Sequence, residues 1–85
     1  MARYALVTGG SSGIGEQYVR QLAAEGRNVV VVSNRDEENR RVAEATAAEF
    51  VVQVVPLTID LAEATAAEQI FAFCEERAIE VDVLI

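Results

Sequence analysis

Four consecutive valines, Val29 to Val32, constrain the fold of this chain more than any other feature of its 85 residues. β-Branched side chains favour extended backbone, and an unbroken apolar run has no polar face to turn towards water. Such a run is typical of a parallel strand that is covered on both faces, because half-exposed strands alternate apolar with polar residues. The valines therefore predict a strand at the centre of a sheet that carries layers on both sides.

Strand-like and helix-like patterns alternate along the whole chain. The predicted strands cover residues 3–8, 29–32, 50–59 and 81–85. The predicted helices cover residues 14–25, 36–49 and 64–78. The order βαβαβαβ predicts an α/β fold with a parallel sheet, right-handed crossovers and helices on both faces. Pro56 lies in the third of these strands, and because proline has no backbone N–H to donate, it predicts an edge strand.

Helical spacing also predicts which side chains face the core. The expected core stripe of the first helix consists of Ile14, Tyr18 and Leu22, with Val19 and Ala23 beside it. The expected stripe of the third helix consists of Ala67, Phe71, Cys74 and Ala78, with Ile70 adjacent. Because Cys74 lies on an apolar stripe, we expect a buried thiol rather than a reactive one.

A glycine-rich turn, residues 8–15, joins the first strand to the first helix. Gly9 and Gly10 permit positive φ in a tight turn. Gly13 lets the backbone approach a diphosphate closely, and Gly15 lets the helix pack against the strand. Exposed N–H groups, the helix dipole and two serine hydroxyls would then hold an anion without a basic side chain. The alternative is a turn that binds nothing.

The spacing of this turn resembles the short-chain dehydrogenase/reductase family, whose hallmark is Thr-Gly-x-x-x-Gly-Ile-Gly. The residues that match are Thr8, Gly9, Gly13, Ile14 and Gly15. Asp60 and Leu61, after the third strand, are similar to the position at which the family contacts adenine, and residues 81–85 resemble its fourth strand. The resemblance covers the whole chain and implies a Rossmann-like, doubly wound parallel sheet.

The resemblance also implies a function. Residues 1–85 would be the N-terminal dinucleotide-binding segment of a larger domain, in a parent protein that transfers hydride between NADP(H) and a carbonyl or alcohol substrate. The family's catalytic Asn, Ser, Tyr and Lys come later, and this chain has no Lys and no His, so we predict no catalytic residue within it. The parent is expected to be a homo-oligomer. Within the family, the sequence is similar to the 3-oxoacyl and 17β-hydroxysteroid reductase branch.

The end of the second strand bears on the choice of coenzyme. NAD-selective members of the family carry an acid where Ser33 stands, and no carboxylate occupies that position here. Ser33, Asn34 and Arg35 offer a hydroxyl, an amide and a guanidinium, which suit a 2′-phosphate and favour NADP over NAD. If the turn is shifted by a residue or two, the acids that begin at Asp36 would instead face the ribose. Asp60 has a structural alternative as N-cap of the third helix.

Charge and composition exclude several functions. A net charge of −7, with seven arginines spread along the chain, argues against nucleic acid or anionic lipid as a partner. The absence of His and of paired Cys argues against zinc, and the first residues lack the apolar region of a signal peptide, so a cytoplasmic location is expected. A non-catalytic NADP(H)-binding or scaffold module stays open as an alternative, whereas the Gly13-Ile14-Gly15 ending disfavours a methyltransferase-like fold. The predicted coenzyme-binding residues are Gly9, Ser11, Ser12, Gly13, Ile14, Gly15, Ser33, Asn34, Arg35, Asp60 and Leu61.

Overall fold

A computed structural model describes residues 2–9 and 13–85. The four strands are β1 (Ala2–Thr8), β2 (Asn28–Ser33), β3 (Val54–Thr58) and β4 (Ile79–Leu84). The three helices are α1 (Gly13–Ala24), α2 (Asp36–Phe50) and α3 (Ala66–Glu76). All neighbouring strands pair in parallel in the order β3-β2-β1-β4. The predicted α/β fold with a Rossmann-like, doubly wound parallel sheet is confirmed.

The valine run forms the interior strand β2, as predicted. Each of the four valines is completely buried. Val30 and Val32 face a cluster that includes Tyr4 and Leu6, whereas Val29 and Val31 face the opposite cluster. Strand β2 therefore supplies apolar side chains to both faces of the sheet, which explains why its sequence does not alternate.

Helices cover the sheet from both sides, which confirms the predicted layers. Helices α1 and α2 supply Val19, Leu22 and Val42 to the core on one face. Helix α3 supplies Ala66 and Cys74 to the core on the other face. Burial raises the pKa of the Cys74 thiol, in agreement with the inert thiol expected at this position.

The register of the sheet brings the carboxyl ends of the strands to one edge. Thr8 pairs with Val32, and Ser33 pairs with Thr58. The backbone N–H of Gly9 donates to the Val32 carbonyl at 2.7 Å, which extends this edge past the last residue of β1. Because ligands of open α/β sheets bind outside the carboxyl ends of the strands, a binding site is expected at this edge.

The third strand is shorter than predicted. Helix α2 continues to Phe50, and Val51 ends it in the left-handed region with φ of 55°. Residues 51–53 therefore lie outside the strand, and β3 begins at Val54. The β-branched residues after the helix predicted strand, but the length of the helix is decided by its packing on the sheet. Pro56 lies in β3, which is an edge strand as predicted.

The predicted core stripes of two helices are right in part and wrong in part. Val19, Leu22, Ala23 and Cys74 are buried and Ile70 packs against the core, as predicted. Ile14 is 77% exposed and Tyr18 is 44% exposed, whereas Gly15 and Val19 are buried. In α3, Phe71 is 68% exposed. Ala67 and Ala78 are also exposed, and the residues that pack on the sheet are Ala66, Ile70, Phe73 and Cys74. Apolar residues stand on two adjacent rows of each helix, and packing on the sheet buries some members of the predicted row, such as Leu22 and Cys74, while it leaves others exposed.

The described part of the chain contains neither a membrane-spanning helix nor a metal-binding cluster. Among residues 2–9 and 13–85, no helix combines the length and the apolar character needed to cross a bilayer. In the same part of the chain, no group of three or more acidic, Cys or His side chains could hold a metal ion.

One buried polar side chain fastens α2 to the sheet close to the carboxyl edge. The Asn39 amide nitrogen donates to the carbonyls of Val31, at 3.1 Å, and Leu57, at 3.3 Å. These carbonyls belong to β2 and β3, so a single side chain joins two strands and a helix. Its amide oxygen is buried and has no hydrogen-bond partner among the described residues.

We expect Asn39→Ala to lower the free energy of unfolding by about 1–3 kcal/mol, because two buried carbonyls lose a donor. Urea unfolding of the variant, beside Glu44→Ala on the exposed side of the same helix, measures the difference. Equal stability of the two variants would contradict a structural role for the Asn39 amide.

Candidate functional site

A cavity of about 180 Å³ opens at the carboxyl edge of the sheet. It is lined by Gly9, Ser33, Asn34, Ile59, Asp60, Leu61 and Ala62. Five of these are predicted site residues, and they follow three different strands. The parallel pairing therefore brings together side chains and backbone that are far apart in the sequence.

Two glycines border this region without being crowded. Gly9 has φ of 69°, a conformation that favours glycine. A Cβ built on Gly9 or on Gly13 would meet no atom of the described residues within 4 Å, so neither glycine is packed against that part of the chain. The absence of a packing reason for these glycines is consistent with room kept for a ligand. The predicted residues Ser11 and Ser12 lie outside the described residues.

The amino end of α1 is positioned by Gly15. Gly15 is buried against the sheet, so the lack of a side chain lets the first turn of the helix lie close to it. Gly13 is the first residue of the helix, where backbone N–H groups have no partner in the preceding turn. These N–H groups and the helix dipole favour an anion at this position.

The turn between β2 and α2 is held by Ser33. Its hydroxyl oxygen accepts a hydrogen bond from the backbone N–H of Arg35 at 3.1 Å. The Ser33 carbonyl accepts another from the backbone N–H of Ile59 at 3.0 Å, which joins this turn to the end of β3. Ser33 is buried, and the exposed Asn34 lies beside it at the cavity.

The Arg35 side chain lies outside the cavity. Its Nη1 atom donates to Glu38 at 3.1 Å and 3.4 Å, so the guanidinium lies along the first turn of α2. There it lines a separate, charged groove with residues of the same helix. The structure therefore brings Ser33 and Asn34 to the cavity but not the guanidinium of Arg35.

The Asp36 carboxylate accepts hydrogen bonds on the outer side of the same turn. The Thr58 hydroxyl donates to its Oδ1 at 2.7 Å, and Arg40 Nε donates to both oxygens at 3.1 Å. These hydrogen bonds, first from Thr58 and then from Arg40, lower the pKa of Asp36 below its ordinary value of 3.8. That Thr58 contacts Asp36 was not predicted from the sequence. The position of Thr58 at the end of the third strand could have indicated a residue at this edge.

Asp60 and Leu61 follow β3 and line the cavity, as Ile59 does. The Asp60 side chain accepts from the backbone N–H of Ala62 at 3.0 Å and thereby forms a local turn. The alternative that made Asp60 the N-cap of the third helix is wrong, because α3 begins at Ala66 and Thr65 is its N-cap. The residues between them form irregular turns.

Two larger grooves lie on other surfaces. One, of about 480 Å³, is lined by Gly13, Ile14, Gln17, Tyr18 and Gln21 along the outer side of α1. It adjoins the glycine turn through Gly13, and the exposed Ile14 lies in it. The other, of about 470 Å³, is mostly apolar, lies between α3 and β4, and contains none of the predicted site residues.

Known proteins resemble this chain in sequence and in structure. The sequence profile of the family described as short chain dehydrogenase matches residues 3–85. A very-long-chain 3-oxoacyl-CoA reductase of Meyerozyma guilliermondii is 39% identical over 59 residues. The alcohol dehydrogenase of Thermococcus sibiricus, solved with 5-hydroxy-NADP, is 28% identical with a TM-score of 0.89. The L-sorbose reductase of Gluconobacter frateurii, solved with NADPH and L-sorbose, is 25% identical with a TM-score of 0.91.

These matches cover much of this chain but little of the other proteins. The match to the yeast reductase includes 69% of this chain and 17% of the reductase. The two solved structures cover 99% and 98% of this chain, which corresponds to 36% and 32% of theirs. The similarity therefore concerns the part of those proteins that this chain spans, and it confirms the predicted resemblance to the 3-oxoacyl reductase branch.

Replacing Thr58 by Val should reduce the loss of stability that occurs when the pH falls into the acid range. Thr58 and Arg40 lower the pKa of Asp36, so the charged carboxylate stabilises the fold at neutral pH, and this contribution disappears as the pH falls through the lowered value. Thr58→Val should be less stable than the wild type at neutral pH, and the gap should narrow below pH 3.8. Urea unfolding across this range measures it.

Thr65→Val is the matched control, because the Thr65 hydroxyl bonds the neutral side chain of Gln69. Its effect on stability should not change over the same range. A Thr58→Val deficit that is as large in acid as at neutral pH would contradict the role of Asp36.

Proposed function

We propose, because the chain belongs to the short-chain dehydrogenase family, that residues 1–85 are the segment that binds the adenosine and diphosphate parts of NADP(H) in an oxidoreductase. The parent protein would transfer hydride between NADP(H) and a carbonyl or alcohol substrate. The observation that carries the proposal is the cavity at the carboxyl edge, which gathers predicted residues from the ends of β1, β2 and β3.

The described residues fit a dinucleotide. No described residue fills the space where a Cβ would stand on Gly9 or Gly13, which suits a diphosphate that approaches the backbone. The amino end of α1 supplies N–H donors and a favourable dipole. The predicted donors Ser11 and Ser12 would add hydroxyl groups to this site. Backbone donors matter here because the chain is acidic and has no Lys.

The adenosine part would lie in the cavity. Asp60 would accept a hydrogen bond from the adenine amino group, and the backbone of Leu61 would lie beside the ring. The turn that Asp60 forms with Ala62 holds this carboxylate next to the end of β3. Ser33 and Asn34, which also line the cavity, would contact the ribose and its substituents.

The end of β2 supports NADP rather than NAD. Ser33 occupies the position from which a carboxylate would bind both ribose hydroxyls in NAD-selective proteins. The alternative in which Asp36 faces the ribose is disfavoured, since Thr58 and Arg40 hold that carboxylate in the charged groove instead. Arg35 would supply the charge for a 2′-phosphate after leaving Glu38.

Bound NADP(H) would supply the hydride, whereas this chain would bind and orient the coenzyme. The acid and base of the reaction would be the family's catalytic Ser, Tyr and Lys, which follow the stretch that this chain resembles. The similarity to 3-oxoacyl-CoA reductases suggests a 3-oxoacyl or comparable carbonyl compound as the substrate class.

Binding and turnover separate this proposal from the non-catalytic alternative. Purified protein should bind NADPH more tightly than NADH in calorimetric titrations, and the parent enzyme should oxidise NADPH in the presence of a 3-oxoacyl thioester. Coenzyme binding without turnover of any carbonyl substrate would favour the binding module. Absence of binding to either coenzyme would contradict both functions.

Arg35→Ala should weaken NADPH binding by roughly ten-fold and leave NADH binding almost unchanged. A charge-assisted hydrogen bond to the 2′-phosphate is worth about 1.5–3 kcal/mol, and the exposure of Arg35 reduces its share. Titration of both coenzymes measures the effect. Equal losses for NADPH and NADH would refute the assignment of Arg35 to the 2′-phosphate.

Gly13→Val should abolish binding of both coenzymes, because the new side chain would occupy the space that the diphosphate needs. The variant should still fold, since a Cβ at this position meets no atom of the described residues within 4 Å. Gln21→Val, two turns further along α1, is the control and should bind normally. Retained affinity in Gly13→Val would mean that the glycine turn is not the diphosphate site.

A further inference from the structure

The guanidinium that would meet the 2′-phosphate is already paired with an anion. Arg35 Nη1 lies 3.1 Å from Glu38 Oε1 and 3.4 Å from Oε2, three residues along the first part of α2. The two side chains are 68% and 45% exposed. Both can therefore change rotamer without disturbing the core, and the pair can open at little cost in packing.

The other acids around Arg35 are either engaged or apart from it. Asp36 accepts a hydrogen bond from the Thr58 hydroxyl and forms an ion pair with Arg40, so its charge is compensated where it stands. Glu37 lines the same groove and forms no ion pair among the described residues. Glu38 is thus the carboxylate that directly occupies the Nη1 donor of Arg35.

We propose that Glu38 is a specificity-determining residue, which weakens the preference for NADPH over NADH by holding the Arg35 guanidinium in an ion pair that a 2′-phosphate has to displace. This inference rests on the proposed function, in which Arg35 binds that phosphate. NADH carries no 2′-phosphate and requires no change at Arg35. Glu38 therefore acts on one coenzyme and not on the other.

The size of the effect follows from the exposure of the pair. Exposed ion pairs are weak, so breaking this one should change affinity by roughly two- to five-fold. Glu38→Gln keeps the length and shape of the side chain but removes its charge. Glu37→Gln removes the same charge from the same helical turn without touching the ion pair, so it controls for net charge and for the helix dipole.

The experiment uses two probes that differ in the 2′-phosphate, adenosine 2′,5′-bisphosphate and adenosine 5′-monophosphate. Isothermal titration of the wild type, Glu38→Gln, Glu37→Gln, Arg35→Ala and the Arg35→Ala/Glu38→Gln double variant gives the affinity for each. Glu38→Gln should bind the bisphosphate roughly two- to five-fold more tightly than the wild type, with unchanged affinity for the monophosphate. In the Arg35→Ala background the same substitution should have a clearly smaller effect.

The outcomes separate the two levels of the proposal. If the wild type prefers the bisphosphate and Arg35→Ala removes that preference, but Glu38→Gln and Glu37→Gln have equal effects, the role of Glu38 is overturned and the proposed function stands. The role of Glu38 is likewise overturned if Glu38→Gln acts equally with and without Arg35. If the wild type binds neither probe, the proposed function itself is overturned.

Discussion

Parallel pairing of β2 with both of its neighbours is the constraint on which the rest of the structure depends. A parallel strand can follow another only after the chain has crossed back, and the helices make these returns on the two faces of the sheet. All strands then end at one edge, where Gly9, Ser33 and Asp60 line the same cavity. The site is thus a consequence of the shared direction of the strands, and the buried valines of β2 stabilise the sheet that these strands form.

Several arginines of the chain lie in ion pairs with carboxylates. The protein carries a net charge of −7, and Arg20, Arg27, Arg35 and Arg40 are each paired with a nearby carboxylate. A dinucleotide is itself an anion, so its diphosphate would depend on peptide N–H groups and on the dipole of α1 rather than on a basic patch. Arg35 is the one basic side chain in the proposed site. Because it is paired with Glu38, its guanidinium would have to leave that carboxylate before it could bind the 2′-phosphate.

The errors of the sequence predictions have a common physical origin. Ile14 and Tyr18 stand at helical spacing, but so do Gly15 and Val19, and the row with the small residue packs closer to the sheet. The same choice exposes Phe71. After α2, the valines favour a strand, yet the helix extends to Phe50 and β3 begins later. In each case, a local pattern allowed two answers and long-range packing selected one.

By itself, the sequence determined the order of the elements, the interior position of β2, the edge position of the strand with Pro56 and the glycine turn, because these follow from local backbone preferences and from apolar content. It also named most of the residues that line the cavity, through a motif whose spacing resembles that of a family. Only the tertiary structure decided which helix rows are buried, where α2 ends, and that the Arg35 guanidinium lies with Glu38 instead of at the cavity. The burial of the helix rows and the end of α2 depend on contacts between segments that are distant in the chain, and no local pattern encodes such contacts. The Arg35–Glu38 pair joins residues only three apart, but the sequence alone allows the guanidinium two partners, Glu38 or a ligand at the cavity.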